Sequence, residues 1–285
     1  MFRKTVYLIL VMALMGVSAD AQRVPTAPTE RDLYCSGVIT TQAPSRDLYV
    51  ISGAESYNHV VFWQGQSVFI NKGASQGIKI GDQFLVSRPA SEPLAFEWFK
   101  VQPALMKAMG QKYADIGRLR VVSVAPNIAT AEIVSSCDVM QRGDLVQPFA
   151  ERPAPPYKSA EKFDVLAPSS GKAKATLVMT NEFGQIAGAG TNVYINLGSS
   201  QGVKAGDYVR VFRNQGEQND TVYQVKGTAY MMYGFGAAPG RYVGADLPRD
   251  VLGEGIVVRV GPNASTVLLT VSQSEIYVGD FVELE

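Results

Sequence analysis

The stretch VFINKGASQGIKIGD, beginning at Val68, returns as VYINLGSSQGVKAGD, beginning at Val193. Between Val68–Arg88 and Val193–Arg213, twelve of 21 aligned positions are identical: Val, Ile, Asn, Gly, Ser, Gln, Gly, Lys, Gly, Asp, Val and Arg. A second pair, GRLRVVSVAPNIATAEIVSSCDVMQRGDLV (117–146) and GEGIVVRVGPNASTVLLTVSQSEIYVGDFV (253–282), aligns without a gap. It keeps VV-x-V-x-PN, a later Thr and a closing GD-x-V. Two blocks repeated in the same order predict a duplicated domain, so the fold must be a unit small enough to be built twice. The connection between the blocks is 28 residues in the first copy (89–116) and 39 in the second (214–252).

Both blocks alternate apolar and polar residues and are rich in β-branched types, the pattern of half-buried strands. One device occurs four times: IKIGDQFLV, MQRGDLVQP, VKAGDYVRV and IYVGDFVEL. The glycines Gly81, Gly143, Gly206 and Gly279 allow the positive φ of a sharp bend. Their partners Asp82, Asp144, Asp207 and Asp280 can accept hydrogen bonds from nearby amides. These pairs are read as structural turns that start strands. Asn71 and Asn196 are read as strand-end residues whose side chains satisfy loose backbone groups.

Strands so closely spaced predict an all-β protein with minor α content: two tandem small β-barrel modules joined by a Pro-rich linker, one short helix inserted in the first. The expected boundaries are 30–149 for the first module, 150–172 for the linker and 173–285 for the second. The helix is expected within EPLAFEWFKVQPALMKAMGQKYADIG, with Pro103 breaking or kinking it. Its aromatic and Met residues, among them Trp98 and Phe99, are expected to cap the open end of the barrel or to form a binding groove. The second copy carries instead TAYMMYGFGAAPGRYVGADLPRD, a Gly- and Tyr-rich insertion read as a long loop or hairpin. The linker, with five prolines in QPFAERPAPPYKSAEKFDVLAPSSGKAKA, is read as a semi-rigid, exposed spacer.

Residues 1–21 read as a signal peptide: Arg3 and Lys4, an apolar run from Val6 to Val17, then Ala19-Asp20-Ala21 before a cut at Gln22. Retention as a membrane anchor is the alternative. Cys35 lies too far along for a lipoprotein site. Cleavage leaves 24 basic against 25 acidic residues, a net charge of −1, which excludes a general nucleic-acid binder. No later run is long enough for a membrane helix. The only cysteines, Cys35 and Cys137, are expected to form a disulfide in an oxidising compartment, tying the opening strand of the first copy to its closing strand.

Motifs for chemistry are few. His59 has no HxH or HxxxH partner, so no metal site is expected, and no cofactor. Neither GxSxG nor HExxH occurs. Arg142-Gly143-Asp144 spells an adhesion tripeptide, but the aligned turn of the second copy forms with Val278 in place of arginine. YGFGAAPG has the wrong final spacing for a dinucleotide fingerprint and no βαβ setting.

The pattern V-[FY]-[IL]-N-x-G-x-x-x-G-[IV]-K-x-G-D, followed by VVxV and a closing GD, resembles the carboxy-terminal domain of the flagellar assembly protein T. It also resembles exported bacterial proteins that carry this module, sometimes beside LysM segments. The likeness covers about residues 33–149 and 174–285, with YCSGVIT, ISGAE, INKGASQGIKIGD and SSCDVMQRGDLVQPF in the first copy. The flagellar protein's amino-terminal domains have no counterpart here, and no LysM segment is present. The resemblance implies a periplasmic or outer-membrane-associated envelope protein whose barrel modules serve in assembly or binding.

The expected function is therefore that of a non-catalytic structural or adaptor protein binding a protein partner or peptidoglycan. Function is expected where the copies differ: at Trp98 and Phe99, and at Tyr230, Tyr233, Phe235 and Tyr242. One rival is a wall-polymer or glycan hydrolase using carboxylates such as Asp246 or Glu254. The other is a secreted adhesin using residues 229–250.

Overall fold

The computed structural model describes residues 27–54, 59–91, 97–158, 164–214 and 248–285. The expected signal peptide, the aromatic residues Tyr230, Tyr233, Phe235 and Tyr242, and Asp246 lie outside them. The described chain is mostly β-structure. Its first half carries α1 (Glu30–Tyr34), β1 (Val38–Thr40), β2 (Val50–Gly53), β3 (Val61–Phe62), β4 (Ser67–Ile70), β5 (Gln83–Ala90), α2 (Gln102–Met109), β6 (Gln111–Val124), β7 (Ala129–Ser136), β8 (Met140–Gln141) and β9 (Leu145–Pro148). Its second half carries β10 (Lys174–Thr180), β11 (Ile186–Ala187), β12 (Asn192–Ile195), β13 (Tyr208–Arg213), β14 (Asp250–Val260), β15 (Ser265–Ser272), β16 (Ile276–Tyr277) and β17 (Phe281–Leu284). No helix among the described residues is long and apolar enough to cross a membrane.

The second half is a closed barrel of six strands, β10-β12-β15-β14-β13-β17, with β17 pairing back onto β10. The first half has a sheet in the order β2-β4-β7-β6-β5-β9, with β1 added along β6. Its outer strands meet through a Tyr49–Leu145 bridge. There the Val50 amide donates to the Asp144 carbonyl (3.0 Å) and the Gly143 amide to the Val50 carbonyl (2.8 Å). In the barrel, the Leu177 amide donates to Asp280 and the Gly279 amide to Leu177, both at 2.8 Å. A two-stranded ribbon flanks each sheet, β3–β8 and β11–β16.

The four Gly-Asp turns share one geometry. Their glycines have φ of 92°, 86°, 95° and 107°, a left-handed region that side chains disfavour. Each aspartate accepts, through one carboxylate oxygen, the amide three residues earlier: Lys79 to Asp82, Gln141 to Asp144, Lys204 to Asp207 and Tyr277 to Asp280, at 2.7–2.8 Å. The two closing turns do more. Asp144 and Asp280 are buried, and each takes a two-pronged guanidinium, from Arg88 (2.7 and 2.8 Å) and from Arg213 (both 2.7 Å). Those arginines end the 21-residue repeat. Buried carboxylates are costly unless paired, which accounts for the recurrence of arginine there. Asn71 and Asn196 accept the Tyr49 amide (2.8 Å) and the Thr176 amide (2.6 Å).

Several elements differ from expectation in ways with plain causes. Pro103 neither breaks nor kinks a helix; it lies in the first turn of α2, where a missing N–H costs no helical bond. The disulfide between Cys35 and Cys137 joins the residue after α1 to the residue after β7, not an opening strand to a closing one. The Thr29/Asp32 capping box that starts α1 sets this position. The described parts of the proline-rich segment are largely exposed but pinned at several points. The Arg152 amide donates to the Tyr34 hydroxyl (2.9 Å), the Lys158 amide to the Tyr208 hydroxyl (2.6 Å), and Ala167 packs with Phe212 and Val251.

Candidate functional site

The first half reaches the second through residues that lie outside the repeated blocks. Phe99 is 1 % exposed and lies in the core of the closed barrel of the second half, with Leu177, Val193, Ile195, Val209 and Val267. Trp98 and Leu105 pack against the same cluster. The aromatic pair before α2 thus closes the neighbouring barrel. Gln102 fixes this entry: its amide group donates to the Val178 carbonyl (2.8 Å) and accepts the Trp98 amide (2.7 Å).

A second contact comes from the amino-terminal strap. Leu33 and Tyr34 of α1 cover Ile256, Val258 and Leu268 on the outside of the barrel. Ile39 of β1 and Met109 of α2 cover Val178, Met179, Tyr194 and Ala264. Gly37 lets the strap approach this closely: it has φ of 65°, and a side chain there would meet the Tyr194 hydroxyl at 2.4 Å. That hydroxyl donates to the Ser36 carbonyl (2.9 Å) and lies 2.7 Å from Asn181 Oδ1. Burial, and then the Asp115 charge, push the Tyr194 phenol far up, so it stays a neutral donor.

Asp115 is the polar centre of the junction. Arg152 of the connecting segment grips its carboxylate at 2.9 and 3.0 Å. Arg259 of β14 reaches both oxygens at 3.0 and 3.1 Å, and the Gly37 amide donates at 2.8 Å. One buried acid therefore holds the first sheet, the strap, the connecting segment and the barrel. Burial lowers the Arg259 pKa, with Asp115 opposing it. Nearby, the buried Lys112 donates to the Asn181 carbonyl and sits 4.0 Å over the Phe183 ring. Phe183 has φ of 59°, a strained value for an aromatic residue.

Between the halves lies a cleft of two chambers. The polar chamber is about 670 Å3 and is lined by Arg31, Asp32, Asp138, Asn181, Glu182 and Asn192, among others. The apolar chamber is about 390 Å3, with Ile39, Pro103, Met106 and Met179 in its wall. Ala90, Lys112 and Phe183 line both. The disulfide borders the polar chamber.

Of the expected contact residues, Trp98 and Phe99 are described, and neither lines this cleft; Tyr230, Tyr233, Phe235 and Tyr242 lie outside the described residues. Phe99 faces the barrel interior, and Trp98 packs beside it. The acid of the adhesion-like tripeptide, Asp144, is buried against Arg88. Glu254 lies on β14, its pKa raised by burial and then by Glu285, opposite Lys158 and Arg210. Among the described residues no three His, Cys, Asp or Glu gather as a metal-binding group.

The cleft residues come from α1, α2, strands and turns and share no motif; of them, only those on α2 and at the start of β6 fall in the segment expected to cap the barrel or form a groove. One signal for the junction was present. β15 reads STVLLTVS, with Val267, Leu268 and Leu269 all buried, whereas its aligned strand β7 reads ATAEIVSS and alternates. A run without alternation marks a strand covered on both faces. No known family profile matches the chain, and no curated protein matches it.

Proposed function

We propose that the chain is an exported, non-catalytic adaptor of a bacterial cell envelope, built from two copies of one small barrel module, which holds its partner in the cleft between them. The observation that carries this reading is the junction. A plug (Phe99), a strap (residues 30–40) and a shared ion cluster (Asp115, Arg152, Arg259) fix the halves around a lined cleft. A built cleft between rigid elements is a common form of binding site. The duplication is supported by matched turns, matched strand order and the paired Arg–Asp clamps. A disulfide suits an oxidising compartment, which supports the reading of residues 1–21 as an export signal. The resemblance to flagellar-assembly-type modules supports an envelope role.

The test uses the mature chain with purified peptidoglycan and with solubilised envelope proteins of the source cell. Binding of one of them is expected to fall at least tenfold in Asn181→Ala/Glu182→Ala and to stay unchanged in Val122→Ser. Val122 is 43 % exposed on the first sheet, away from the cleft. Equal binding by both variants, or turnover of the wall polymer, contradicts the reading.

A further inference from the structure

The cleft joins two unlike environments at a single wall, and that junction constrains what can occupy it. Its apolar chamber is bordered by Met106 and Met179, unbranched and polarizable side chains that adapt to flexible chains, together with Ile39, Pro103 and Phe183. Its polar chamber presents charges of both signs: Arg31 and Lys112 against Asp32, Asp138 and Glu182. Asp115 also lines it but is already matched by Arg152 and Arg259. The Asn192 side-chain oxygen is buried in this wall without a hydrogen-bond donor from the described residues. Buried acceptors are rarely left so, and an incoming N–H would satisfy it. The Lys112 ammonium and the Phe183 ring mark the boundary between the chambers.

We infer that the cleft binds a zwitterionic amphiphile, its aliphatic chain along Met106 and Met179 and its head, carrying one amine and one anionic oxygen, among Arg31, Glu182 and Asn192. Charge complementarity selects this occupant. Asp138 is paired with Arg88 at 3.8 Å, so a purely anionic head would meet Asp32 and Glu182. A purely cationic one would meet Arg31 and Lys112. A head with both signs answers both sets, since like-charge juxtaposition is what suppresses wrong ligands. This rests on the cleft being the binding site proposed above.

The experiment is calorimetric titration of the mature chain with lysophosphatidylethanolamine below its micellar concentration. Lysophosphatidylglycerol and free phosphoethanolamine serve as comparison probes. The zwitterionic amphiphile is expected to bind at one site, at least tenfold tighter than either comparison. Glu182→Ala and Met106→Glu should each weaken it at least tenfold. Glu182 is exposed and Met106 lies on the outer helix α2, and an unchanged unfolding temperature for each variant shows that the fold is kept. Equal affinity for the anionic amphiphile, binding only above the micellar concentration, or no loss in either variant overturns the inference. If cleft variants still lose the envelope partner while no amphiphile binds, only the ligand class fails. If they lose neither, the cleft itself is not the site.

Discussion

Replacing Cys35 and Cys137 with serine is expected to destabilise the protein by about 4–5 kcal/mol, because the bridge closes a very long loop in the unfolded chain. The two cysteines are 102 residues apart in sequence. That amount is a large fraction of the stability of an ordinary domain. With a urea m-value of about 3 kcal/mol/M, the midpoint should move down by about 1.5 M. The loss should also have a location. Cys35 anchors the strap that covers Ile256, Val258, Leu268 and Tyr194. In the serine variant, amide exchange should quicken first in residues 30–40 and in β14 and β15, while β4 and β7 keep their protection. An unchanged midpoint, or uniform quickening across both sheets, would show that the bridge does not fasten the strap.

Asp115→Ala is expected to cost about 3–5 kcal/mol, the usual penalty for removing one member of a buried ion cluster. The two guanidiniums left behind, of Arg152 and Arg259, would face each other without their acid, with side chains only 14 % and 27 % exposed. The sign of the effect can be separated from simple loss of packing. In the triple variant Asp115→Leu/Arg152→Met/Arg259→Met no charge is stranded, and most of the stability should return. Both proteins would be compared by urea unfolding at constant m. A triple variant as unstable as Asp115→Ala would mean that the cluster supplies net attraction rather than a penalty avoided.

The sequence carried the turns and the strands plainly, because both are local. A Gly-Asp pair bends the backbone using only its own neighbours, and alternation is written residue by residue in Ala129, Ala131 and Ile133. The pairing of Arg88 with Asp144 is 56 residues apart, and nothing in the spacing announces it, although both members recur in the second copy as Arg213 and Asp280. The junction was least legible. Phe99 and Leu33 look like ordinary apolar residues of the first copy, yet they are spent on the second. Comparison of the copies holds the trace: Arg120 and Glu132 form an exposed ion pair on the first sheet, where the aligned Ile256 and Leu268 are buried beneath the strap. Covered and uncovered faces of the aligned strands thus differ in polarity, as hydrophobic burial requires.

The central claim is that the plug, the strap and the ion cluster make the halves one cooperative body around the cleft. The chain has two tryptophans, and they are well placed to report on it. Trp63 follows β3 of the first half and is 54 % exposed; Trp98 packs against the core of the second half's barrel. Urea unfolding of the two single-tryptophan proteins, Trp98→Phe and Trp63→Phe, should be followed by fluorescence and by far-ultraviolet circular dichroism. Within each protein the fluorescence and dichroism curves should superimpose as a single transition. A Trp98 signal that unfolds well apart from the dichroism, or two resolved steps in the dichroism of either protein, would contradict a single body.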